Sequence, residues 1–82
     1  MPSQFGSGQV KIRTATLIFV KGSAAPIVLY VDNPLAFYEE LQGLMKTSTA
    51  KLIEKDSTGP IKKVSVMSNQ ISAVALQDEQ YI

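Results

Sequence analysis

Apolar and polar side chains alternate from residue 9 onward, with Val10, Ile12 and Thr14 separated by Lys11 and Arg13. Such period-two alternation marks a strand with one wet face. It then gives way to an unbroken apolar run, Leu17-Ile18-Phe19-Val20, which fits a strand covered on both sides. The pattern predicts a first strand over residues 9–21 and a loop through Gly22-Ser23-Ala24-Ala25-Pro26. A second strand follows over residues 27–31, close enough to pair as an antiparallel hairpin.

Asp32-Asn33-Pro34 is a helix start. Pro34 suits the first helical position because its missing N–H has no intrahelical partner there. Asn33 then serves as N-cap, its side-chain oxygen accepting from a free backbone N–H. Over residues 35–46, Tyr38, Leu41 and Met45 recur at helical spacing with Phe37 and Leu44 beside them, while Glu39, Glu40, Gln42 and Lys46 fall mostly opposite. This is an amphipathic helix of about three turns. Gly43 inside it costs roughly 1 kcal/mol relative to Ala, a cost that a close approach of the backbone to the sheet would rationalise. Three more strands are expected over residues 50–55, 61–67 and 70–77. Ser57-Thr58-Gly59-Pro60 joins the first two, and Ser68-Asn69 makes a tight antiparallel turn between the last two.

The order is β-β-α-β-β-β, an α+β domain with a mostly antiparallel curved sheet or partial barrel and one helix packed on it. Residues 1–9, with two Gly and two Ser, read as a flexible arm. Residues 10–77 form the single domain, and 78–82 a polar tail. A mismatch follows from dimensions. Five strands at about 4.8 Å spacing span roughly 24 Å, whereas a helix is about 10–12 Å wide and shields one face only. Yet Val28 and Tyr30 oppose Ile27, Leu29 and Val31, while Ile71, Ala73 and Ala75 oppose Val74 and Leu76. Either the sheet curls on itself, or its second face meets another copy or a protein partner. Val28, Tyr30, Ile71, Ala73 and Ala75 are the candidates for that apolar interface. Scattered exposed apolar residues of no consequence are the plainer alternative.

Composition narrows the chemistry. The 82 residues contain no Cys and no His, which removes thiolate nucleophiles, disulfides, Cys–zinc sites and the usual acid–base group near neutral pH. No catalytic residue, cofactor or metal is expected, and the protein is read as a non-enzyme. Eight basic against seven acidic residues leave a formal charge of +1, too small to imply a charge-driven partner. No apolar run approaches the roughly 20 residues of a membrane span. Residues 1–8 lack the basic and apolar regions of a secretion signal, so no membrane association and a cytoplasmic location are expected.

Lys51, Lys55, Lys62 and Lys63 form a candidate basic surface at a hairpin edge. Binders of single-stranded nucleic acid pair basic grooves with exposed aromatic platforms. Aromatics are few here, and Phe19, Tyr30 and Phe37 read as core. Lysines that deter edge-to-edge aggregation explain the cluster more simply. Glu39-Glu40 and Asp78-Glu79 are neighbours in sequence, but consecutive helical residues diverge by about 100°, so they read as solvated charge.

The stretch Lys62-Lys63-Val64-Ser65-Val66-Met67-Ser68-Asn69-Gln70-Ile71-Ser72-Ala73-Val74-Ala75-Leu76 resembles the C-terminal signature of a family of very small uncharacterised proteins of photosynthetic bacteria and plastids. The helix, Ala36-Phe37-Tyr38-Glu39-Glu40-Leu41 with Met45 beyond it, is similar to that family's, as is Lys51-Leu52-Ile53-Glu54. The likeness covers residues 16–77. Residues 1–15 and the turn over residues 56–60 depart from it. The resemblance implies a cytoplasmic or stromal home and carries no activity, cofactor or site. The leading expectation is a noncatalytic protein-interaction module or homodimer. The alternatives are a nucleic-acid binder using the four lysines and an accessory subunit of a larger complex.

Overall fold

In the computed structural model, which describes residues 11–81, five strands and one α-helix follow the predicted order: β1 Lys11–Val20, β2 Ile27–Leu29, α1 Pro34–Met45, β3 Leu52–Asp56, β4 Lys63–Met67 and β5 Ile71–Tyr81. The expected arm over residues 1–9 and the final Ile82 lie outside the described residues. The α+β domain is built of two antiparallel sheets, one ordered β2-β1-β5 and the other the β3-β4 hairpin.

Local signals place α1. The Asn33 side chain accepts from the Ala36 N–H at 3.2 Å, and Pro34 opens the helix. Its end is closed by the Lys46 N–H donating to the Gly43 carbonyl and the Thr47 N–H donating to the Leu44 carbonyl, each at 3.2 Å. Phe37 and Leu41 are buried, whereas Glu39, Glu40 and Gln42 are exposed. Gly43 is a correction: a Cβ there would meet nothing within 4 Å, so no close approach to the sheet explains it.

A single curved sheet is not formed. The tight turn expected at Ser68-Asn69 does not close a β4-β5 hairpin; residues Ser68–Gln70 form a 3-10 turn instead. Ser68 is buried there. Its Oγ accepts from the Lys51 N–H at 2.9 Å, and its own N–H donates to the Lys51 carbonyl at 2.8 Å. These bonds prolong the β3-β4 ladder, in which Leu52 pairs with Met67 and Asp56 with Lys63. The chain then leaves for the outer side of β1, where Lys21 donates its N–H to the Gln70 carbonyl at 2.8 Å.

The polar tail expected at 78–82 is also corrected. Residues 78–81 continue β5 and pair with residues 11–14, as Asp78 with Thr14 and Glu79 with Arg13. Thr14 Oγ1 donates to Asp78 Oδ1 at 2.8 Å across this pair. Because β2 pairs only with residues 16–18 of β1, this far end is a two-stranded ribbon. Ile12, on the ribbon, is 65% exposed.

One core serves both sheets. Ile18, Leu29 and Ile71 from the three-stranded sheet, Phe37 and Leu41 from α1, and Ile53 from the hairpin form one buried cluster, with Val64, Val66 and Val74 packed against it. Helix and hairpin thus share the covering of one sheet face, the near face.

Candidate functional site

Residues paired directly across an antiparallel ladder point to the same side. Phe19 pairs with Ala73, and Leu17 with both Ala75 and Val28. These five side chains therefore stand together on the far face, away from Ile18 and Leu29. Leu17, Phe19, Val28 and Ala75 are partly exposed and Ala73 is exposed. Burying such a surface stabilises by about 25 cal/mol per Å² removed from water. Here Ala73 is exposed, and the other four each keep a smaller share of their surface in water.

Of the five residues expected at an apolar interface, Val28, Ala73 and Ala75 lie on this face. Ile71 does not: it is 5% exposed and belongs to the core. The register shifts between Phe19 and Val20, so that Phe19 faces Ala73 while Val20 faces Ile71. Ser72 is the extra residue, and its Oγ donates to the Phe19 carbonyl at 3.1 Å. A bulge of one residue reverses the side to which everything before it points. Leu17 and Phe19 complete the apolar set. Strand alternation carries the signal that links them to Val28, but only once the register is known.

Tyr30 closes one end of the far face. Its hydroxyl donates to Glu79 Oε1 at 2.9 Å, and the Arg13 guanidinium carbon lies 3.9 Å from its ring centroid. Arg13 Nε is also 3.4 Å from Glu79 Oε1. Ala15, between these groups on β1, is fully buried. The hydrogen bond to Glu79, with partial desolvation and that carboxylate's charge, raises the Tyr30 pKa above its ordinary 10.0; Arg13 opposes the shift. The Tyr30 backbone ties the two sheets together. Its N–H donates to Ser57 Oγ at 2.8 Å, and its carbonyl accepts from the Thr58 N–H at 3.0 Å. Gly59, at φ +87°, lies against the ring: a Cβ would be 2.9 Å from Tyr30 Cδ2. Tyr30 is therefore a clasp rather than part of a free apolar patch.

The four lysines do not converge. Lys51 precedes β3 and Lys63 begins β4, at opposite ends of the hairpin. Lys55 shares the inner face with Ile53, and its Nζ is 5.0 Å from the Phe37 ring centroid. Lys63 Nζ is 3.7 Å from Asp56 Oδ1, with both side chains largely exposed. A solvated pair of that kind contributes at most about 1 kcal/mol. A phosphate-binding surface built from the four has no shared location.

An open cleft of about 590 Å³ lies between Tyr30 and the hairpin, with Asp32, Glu54 and Asp56 facing it alongside Lys55 and Lys63. The mixed signs give no consistent field for an anion or a cation. Among the described residues, no group of three or more carboxylates is placed to hold a metal ion. No helix among them is long and apolar enough to cross a membrane.

Comparison with known proteins finds no matching family model, curated protein or solved structure. The architecture itself defines the class: a small α+β domain in which one helix and a hairpin pack on one face of a three-stranded antiparallel sheet.

Proposed function

We propose that this protein is a noncatalytic interaction module that docks a protein partner on the far face of the β2-β1-β5 sheet. The observation that supports this reading is the contiguous apolar set of Leu17, Phe19, Val28, Ala73 and Ala75, none of them fully buried, whereas Ile18 and Leu29 on the other face of the same strands are. Contiguous apolar surface of this kind marks interaction sites in soluble proteins. A chemical role has less support. The cleft beside Tyr30 brings together only solvated carboxylates, lysines and hydroxyls, without the acid–base pair or activated nucleophile that a reaction needs.

Affinity capture with three immobilised forms tests the reading: the native chain, Phe19→Asp, and Lys62→Glu combined with Lys63→Glu. A stoichiometric partner retained by the native and lysine-reversed forms, and lost by Phe19→Asp with its thermal melt intact, is the expected result. Retention of oligonucleotides at about 50 mM salt that disappears on lysine reversal would instead establish phosphate binding and overturn the reading.

A further inference from the structure

We draw no further inference here: the strongest candidate, the outer edge of β5 at the rim of the β2-β1-β5 sheet, carries nothing because nothing in the structure shows what covers it.

Discussion

On one side of β1, Thr16 and Ile18 are fully buried; on the other, Leu17 and Phe19, one residue away along the same strand, remain partly exposed. Both faces use apolar side chains of similar size. What separates them is the cover. The near face receives Phe37 and Leu41 from α1 and Ile53 from the hairpin. Among the described residues, the far face carries the Tyr30 clasp at one end, with its hydrogen bond to Glu79 and the Arg13 cation above the ring. Hydrophobicity alone therefore does not assign a residue to the core. The apolar contribution is realised only where another element removes the water.

Truncation on each side gives the largest expected contrast. Leu41→Ala is predicted to cost about 2–5 kcal/mol, as a cavity in a packed core does. Leu17→Ala in dilute monomer is predicted to cost under about 1.5 kcal/mol, because part of its side chain is already wet. Denaturant unfolding of both variants measures the difference, and equal losses would mean the two faces are covered alike.

Next is the clasp. Gly59→Ala forces a side chain onto a positive φ and brings its Cβ to 2.9 Å from the Tyr30 ring. A loss of about 1–3 kcal/mol is expected. Thermal unfolding unchanged by this substitution would show that the loop does not hold the ring. Thr16→Val goes the other way. Thr16 Oγ1 is buried on the near face without a hydrogen-bond partner, and Val has the same branched shape without the hydroxyl. A gain of about 1 kcal/mol is predicted by chemical denaturation; a loss would reveal a bond to that oxygen.

The smallest effect is a pH dependence. With its pKa raised in the folded chain, Tyr30 holds its proton more tightly folded than unfolded. Its contribution is thus complete below the unfolded pKa of 10.0 and is lost as pH rises through the higher folded value. Ultraviolet titration of tyrosinate should show one late-titrating phenol that disappears in Tyr30→Phe. Late titration that persists in that variant would detach the shift from the clasp.

The helix was legible because its signals are local: Asn33 accepts from a backbone group three residues on, and Pro34 needs no partner. The five strands were legible from alternation. Their assembly was not. Ser68-Asn69 has the composition of a hairpin turn, and only the burial of Ser68 against Lys51, 17 residues earlier, turns β5 into a different sheet. The side on which Ile71 falls depends on one bulged residue, invisible to any period-two count. Asp78 and Glu79 read as a tail because the two-stranded ribbon has no apolar stripe to display. The lysines looked clustered because sequence distance hid their separation along the hairpin. Alternation beside Ile53 already turned Lys55 inward.

The pairing of β1 with β5 also governs how the chain reaches its native state. That ladder joins residue 11 to residue 81 and residue 20 to residue 71, so its closure must span nearly all of the described residues. Helix α1 and the β3-β4 hairpin link near neighbours and can form early, whereas the central ladder carries the entropic penalty of a long loop. Nascent chains emerging from a ribosome would hold β1 without its principal partner until residues 71–81 have been made. Substitutions that break the pairing of residues 78–81 with residues 11–14 should then slow refolding more than their own modest contacts suggest.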